Sequence, residues 1–177
     1  MEEYVYVYNS DGQRSNRTVL REVANDNNFW RHACSVAILN SKGEILLQKR
    51  ADRKSNPNEW ELCSGHVTAG EGGASKSIDR EIKEELGITR KRKLELLKRG
   101  FKTNEERNHF FIDIFSFTQN IDITQFNIDT NEISEIKWAD VKSIKELSLG
   151  QYKLGDEELD VILKLIQKQI EKNQEER

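Results

Sequence analysis

Three glutamates, Glu81, Glu84 and Glu85, stand at i, i+3 and i+4 within the run Arg80 to Ile88, REIKEELGI. At about 100° of rotation per residue they fall within roughly a 100° sector of one helix. Carboxylates crowded in this way repel one another, and the arrangement costs stability unless a cation sits among them. Oxygen ligands suit a hard divalent ion such as Mg2+. An organic diphosphate is highly anionic, and water attacks it slowly because like charge meets like. Its hydrolysis therefore wants a cation that neutralises the phosphoryl oxygens and acidifies a bound water. A solvated acidic helix face would carry the same spacing, so the spacing alone leaves both open.

The helix that must carry these acids has an apolar stripe, Ala74, Ile78, Ile82 and Leu86, with Lys76 and Lys83 on the other side. Gly87 suits its C-terminal cap. Before it runs Gly65 to Gly73, GHVTAGEGG, a loop whose four glycines let backbone approach a ligand or fold tightly against the helix. Arg80, beside the first acid, is placed to pair with a carboxylate and orient it.

Around this stretch the alternation predicts strands. Tyr4 to Tyr8 and a return through Arg17 to Val23 read as a hairpin across the turn Asn9-Ser10-Asp11-Gly12. Ala24 to Asn28 is asparagine-rich and reads as a loop. His32 to Leu39 and Glu44 to Lys49 flank a tight turn, and Trp60 to Cys63 is a short strand leading into the glycine loop. Leu94 to Lys102, Phe110 to Thr118 and Glu132 to Trp138 are further strands. Helices are expected at Ala139 to Leu147 and Asp156 to Lys172, the latter acidic at its start and basic at its end. Mixed strands with a helix mid-chain and another at the end predict an α/β sandwich.

The 177 residues, 36% hydrophobic and 33% charged, fit one domain with a real core. A net charge of −3 gives no global pull towards nucleic acid. No apolar run approaches the roughly 20 residues of a bilayer crossing, so no membrane partner is expected. The start, MEEYVYVYNS, is unlike a signal peptide. Cys34 and Cys63 sit in apolar strands without metal spacing, as reduced core thiols of a cytoplasmic protein would.

Gly65, Glu71, Arg80-Glu81, Glu84-Glu85, Gly87 and Ile88 together resemble the Nudix box, G-x5-E-x7-R-E-U-x-E-E-x-G-U, where U is a bulky aliphatic. The tail Arg80 to Ile88 matches at every fixed position. One departure is clear: eight residues rather than seven separate Glu71 from Arg80, which puts the role of Glu71 in question. His32 to Lys49, Trp60-Glu61-Leu62 and EISEIKWADV also resemble their Nudix counterparts. The N-terminal hairpin, residues 3–24, and Trp30-Arg31-His32 are similar to the subgroup related to isopentenyl-diphosphate isomerase.

The resemblance implies a single Nudix domain over residues 1–177, an α/β/α sandwich with a mixed sheet and an N-terminal β-hairpin, its box at 65–88. It implies Mg2+, with Mn2+ as an alternative, held by Glu81, Glu84 and Glu85. Glu81, Glu84 and Arg80 would then carry catalysis, and Gly65 and His66 would meet a small-molecule diphosphate substrate. For the general base, Glu81, Glu105, Glu106 and Glu135 stay open. The activity implied is hydrolysis of a diphosphate linkage in a nucleoside diphosphate derivative or similar compound. The hairpin also offers an edge through which a homodimer could form.

Two other activities compete. An isopentenyl-diphosphate isomerase places a catalytic cysteine directly before the first box glycine, and here Ser64 stands there with Cys63 one residue earlier, on the opposite face of a strand. The Glu-x-Glu of that enzyme has only Glu106-Arg107-Asn108 as a counterpart, and His32 is offset by one residue from its metal histidine. A non-catalytic nucleotide-sensing module would more often lack the box glutamates, which are present. Blander roles are expected for Trp30 and Trp60 (packing), His109 (solvated), Glu132 (exposed polar) and the basic turn Thr89 to Lys93.

Overall fold

The computed structural model describes residues 2–103, 109–146 and 156–176. Strands β1 (Tyr4–Tyr8) and β2 (Arg14–Leu20) form the N-terminal hairpin, followed by helix α1 (Arg21–Asp26). Strands β3 (Arg31–Leu39), β4 (Ile45–Arg50), β5 (Trp60–Glu61) and β6 (Cys63–His66) lead into helix α2 (Ala74–Leu86). Strands β7 (Glu95–Lys102), β8 (Phe110–Thr118) and β9 (Ile133–Ala139) follow, with helices α3 (Val141–Glu146) and α4 (Asp156–Glu175) closing the order. The expected elements are present with ends shifted by a few residues, and Leu147 lies outside the described residues.

One expectation is corrected. The hairpin's second strand ends at Leu20, and the stretch read as strand end and loop is α1. Its asparagines disfavour a helix by propensity. Tertiary packing overrides this: Ala24 is fully buried against Val5 and Val19, with Val7 and Phe29 around them. Asn27 then closes the helix end, its Nδ2 donating to the Val23 carbonyl at 2.8 Å.

A seven-stranded mixed sheet is the centre of the fold, with the path β5-β4-β3-β8-β7. β3 and β8 run parallel in continuous register from Arg31–Phe110 to Leu39–Thr118. β3 meets β4 at Leu39–Ile45 beside their turn. Further along, β3 pairs instead with β6, from Ala33–His66 to Val36–Cys63, while β4 pairs with β5 and β9. The two halves of the sheet diverge there, and the cleft described below opens between them.

Alternation along β3 divides the core in two. Ala33, Ala37 and Leu39 pack with Ile112, Ile114, Leu163, Ile166 and Ile170 on the α4 side. Cys34, Val36 and Ile38 pack with Phe115, Phe117, Ile78, Ile82 and Leu86 on the α2 side. Helices therefore cover both faces, and the architecture is the expected α/β/α sandwich with a separate N-terminal hairpin. The hairpin touches the body through Val5–Thr68 and Tyr8–Trp30 bridges. Ile78, Ile82 and Leu86 are fully buried. Each contributes about 1.5–3 kcal/mol, which offsets the crowding of acids on the adjoining face of α2.

Candidate active site

α2 begins only after Gly72 and Gly73, whose φ angles of 96° and 100° belong to glycine. The extra residue between Glu71 and Arg80 is thus taken up before the helix, and the turns bearing the acids are intact. Glu71 still reaches Arg80: Nε donates to Oε1 at 2.7 Å. Thr68 and Ser77 hydroxyls donate to Oε2, each at 2.6 Å. Burial works to raise the Glu71 pKa, but the hydrogen bonds from Arg80, Ser77 and Thr68 outweigh it and hold the carboxyl below its usual range.

Gly65 is glycine for a different reason. A Cβ there would overlap the Glu81 carboxylate, so this strand end and α2 can approach only without a side chain between them. Glu81 is buried, with Arg80 Nη1 at 2.9 Å from its Oε1. Burial pushes its pKa up to about 7 despite that arginine. Glu85 accepts from the Gln48 amide at 2.8 Å and from the Cys63 thiol at 3.7 Å. Its burial, with Glu81 and Glu61 nearby, pushes its pKa up to about 8. Glu84 is the exposed member, tethered to Arg80 Nη1 at 2.9 Å.

Among the described residues, no three acidic, histidine or cysteine side chains stand grouped as a metal's ligands would. The donor set nevertheless fits a divalent cation. Buried Glu81 and half-buried Glu85, one turn apart, hold protons into the neutral range, and no described lysine or arginine pairs with Glu85. A hard cation would supply the charge that those protons now supply.

These groups line a cleft of about 860 Å³ together with Ser64, Gly65, His66, Arg50, Glu61, Asp129 and Glu132. Gln48 and Glu61 were not found from sequence. They face each other across the β4–β5 pair, where Gln48 holds Glu85 and Arg50 clasps both Glu61 oxygens at 3.0 and 3.1 Å. The sequence signal was weak, a glutamine within an apolar strand and a Trp-Glu pair just ahead of the box that no motif marks as part of the site. Glu132, expected to be merely exposed, borders the cleft and pairs with Lys54.

Gly65 and His66 both line the cleft, as a substrate-facing pair would. Burial first, then Arg21, Arg31 and Arg80, hold the His66 pKa well below its usual value. His66 is therefore neutral near pH 7. Glu135 stands away from the cleft wall, largely exposed and 3.8 Å from Lys49. Glu105, Glu106, Arg107 and Asn108 lie outside the described residues. His109 is not solvated as expected: it stacks on Trp30 at 4.5 Å and its Nδ1 lies 3.0 Å from the Asn28 carbonyl. Trp60 packs under Lys137, 3.9 Å from the ring.

A NUDIX domain family model matches residues 29–158. The chain belongs to the Nudix family. It is a Nudix hydrolase, a pyrophosphohydrolase of a class that generally cleaves diphosphate bonds in nucleoside diphosphate derivatives. It is 29% identical over 120 residues to an uncharacterised Nudix hydrolase of Listeria innocua, covering 66% of this chain and 68% of the relative. An isopentenyl-diphosphate Delta-isomerase of Halorhodospira halophila is 33% identical over 88 residues, 49% of this chain and 50% of that one. In fold, a Deinococcus radiodurans crystal structure superposes with a TM-score of 0.71 at 19% identity, covering 94% of this chain and 98% of that one.

Proposed function

We propose that this Nudix hydrolase is a magnesium-dependent enzyme that splits the diphosphate of a nucleoside diphosphate derivative or similar organic diphosphate. The observation that carries this reading is the under-neutralised carboxylate pair of buried Glu81 and half-buried Glu85 beside Arg80 at the cleft wall. Glu81, Glu84 and Glu85 would hold the cation, with Mn2+ as a substitute. Once bound, the cation supplies charge neutralisation at the phosphoryl oxygens and acidifies water.

The chain's own residues do the rest. Glu71 fixes Arg80 from one side, so its guanidinium is free to set the Glu81 and Glu84 carboxylates on the other. Gln48 orients Glu85 by donating to one oxygen, leaving the second for a ligand. The bare backbone at Gly65 lets the Glu81 carboxylate lie against β6 at the cleft wall. Glu81, at the cleft wall, is one candidate to take the proton from attacking water. Glu105 and Glu106 stay as alternatives for that role.

The isomerase alternative is disfavoured by the thiols. Cys63 is buried on the α2 side of β6, and burial, then Glu85 and Glu81, raise its pKa well above the usual thiol value. Ser64, the residue that does line the cleft, has no comparable redox or acid chemistry. A purely nucleotide-sensing role is disfavoured by the intact glutamate set.

A panel of nucleoside diphosphate derivatives and isopentenyl diphosphate, with Mg2+ or with chelator, tests the reading. Metal-dependent release of a nucleoside monophosphate is expected. Double-bond migration without diphosphate cleavage would reverse it.

A further inference from the structure

Arg31 has no place in the machinery above, yet it is the most unusual charged residue in the structure. It lies at the start of β3, fully buried, and its Nε, Nη1 and Nη2 have no hydrogen-bond partner among the described residues. Its guanidinium stacks on the Phe110 ring, 4.5 Å from the centroid. Buried charge without a partner is strongly unfavourable, and desolvation, together with nearby Arg21, lowers its pKa to about 10. It is still a cation at neutral pH.

Phe110, against which it stacks, is a wall of the cleft, as are Arg21, Asn28 and His66. The His66 ring meets Phe110 edge-on, 5.4 Å between centroids, and its buried Nε2 has no hydrogen-bond partner among the described residues. Arg31 and His66 thus both meet one aromatic ring, and Arg21 lines the same cleft as that ring. Arg21 is engaged with Glu3 at 2.6 Å, which neutralises it in part. Glu81, Glu84 and Glu85 line the same cleft, the Glu81 carboxylate against Gly65. Guanidinium nitrogens in a fork suit the oxygens of a phosphate, and a neutral histidine protonated on Nε2 can donate one hydrogen bond more.

We propose that the end of the cleft around Phe110 is a phosphate-binding subsite in which Arg31 and His66 Nε2 are the principal donors. Arg31 is reached from the cleft by a small displacement of the Phe110 ring, and the arriving anion provides a partner that no described residue supplies. The inference deepens the proposed function, on which its biological meaning rests: it places one phosphate of the substrate beside Arg31, while the helix carboxylates attend the other through a cation.

The test is binding rather than turnover. Inorganic phosphate is titrated into metal-free protein in chelator, at constant ionic strength set with chloride, and thermal stability is followed. Phosphate should raise the Tm of the unaltered protein, the stabilisation growing as the logarithm of one plus the ratio of phosphate concentration to Kd. Arg31→Met should weaken phosphate binding by roughly 10- to 100-fold, the range for losing hydrogen bonds to a charged group. Arg31→Met should also raise the Tm of the ligand-free protein, because a buried unpaired charge is removed. Arg21→Gln, at the cleft rim, keeps the core intact and should weaken phosphate binding by a smaller factor. Glu85→Gln should leave phosphate binding in place, so a failed hydrolase assay and a failed subsite can be told apart. An equal phosphate response in Arg31→Met and the unaltered protein overturns the proposal, as does no response beyond chloride.

Discussion

Glu71 and Arg80 are joined Oε1 to Nε at 2.7 Å although the chain between them is one residue longer than in the family pattern. The pair survives because the added length is absorbed by Gly72 and Gly73, at φ angles closed to most other residues. Arg80 is thus pinned from behind before it reaches Glu81 and Glu84.

The first prediction follows from that bracing. Arg80→Lys keeps the charge but cannot hold Glu71 and two other carboxylates at once. It should lower kcat by roughly 10- to 100-fold, the usual cost of losing an orienting partner, with KM changing far less. Steady-state kinetics on a substrate from the panel checks this, and a kcat within twofold of the unaltered enzyme would exclude the orienting role.

Gly65→Ala is the sharpest steric test. The new methyl would occupy the place of the Glu81 carboxylate, so either β6 or the carboxylate must move. Overpacking of this kind typically costs about 1–3 kcal/mol. Urea unfolding should register that loss, and turnover should fall by more than the stability change explains. A variant of normal stability and normal turnover would show that Glu81 need not stand where it does.

How far the site could be read from the chain depends on sequence distance. The acids, the arginine and the cap of α2 all lie within Arg80 to Ile88, where 3.6-residue periodicity makes neighbours of residues three and four apart. β3 and β8 were legible for the same reason, since their alternation is local. Gln48 and Glu61 were not, because only pairing of β4 with β5 brings them to Glu85. α1 was missed because Ala24 gains its helix from contacts with Val5 and Val19, not from its asparagine-rich neighbours. Arg31 stood out only as part of Trp30-Arg31-His32, and its burial against Phe110 comes from the pairing of β3 with β8, which no local pattern shows.

The thiols give a third prediction. Cys63 is buried on the α2 side and its pKa is raised well above normal, so it should contribute packing and little chemistry. Cys63→Ala should lose about 1 kcal/mol of stability, near the lower end for truncating a buried side chain, and keep at least half of its hydrolytic turnover. A loss of turnover beyond about 100-fold with the fold intact, as an enzyme losing its nucleophile shows, would restore the cysteine-based alternative.

pH acts through Glu81 and Glu85, whose folded pKa values of about 7 and about 8 stand above the reference value of 4.5. Between pH 4.5 and about 8 the folded protein holds protons that the unfolded chain has released. Stability of the metal-free protein should therefore fall as pH rises through that window and level off above it. Saturating Mg2+ should flatten the fall, because the cation takes over from the protons. Thermal unfolding at several pH values, with chelator and with Mg2+, measures both slopes. Parallel curves would mean that the cation binds elsewhere.

Glu85→Gln separates the half-buried carboxylate from its shape. The amide keeps the volume and can still meet Gln48, so the fold should hold and the metal-free protein should gain stability near pH 8, where the charge is most costly. Turnover should drop at least about 100-fold, in line with the loss of a metal-orienting or ligand group, and Mg2+ should no longer raise the Tm as it does in the unaltered protein. Calorimetry with Mg2+ on both proteins gives the binding side of the comparison, and initial rates give the catalytic side. If the variant bound Mg2+ with unchanged affinity and turned over normally, the cation would have to be held without Glu85, and the acidic face of α2 would be only a solvated surface.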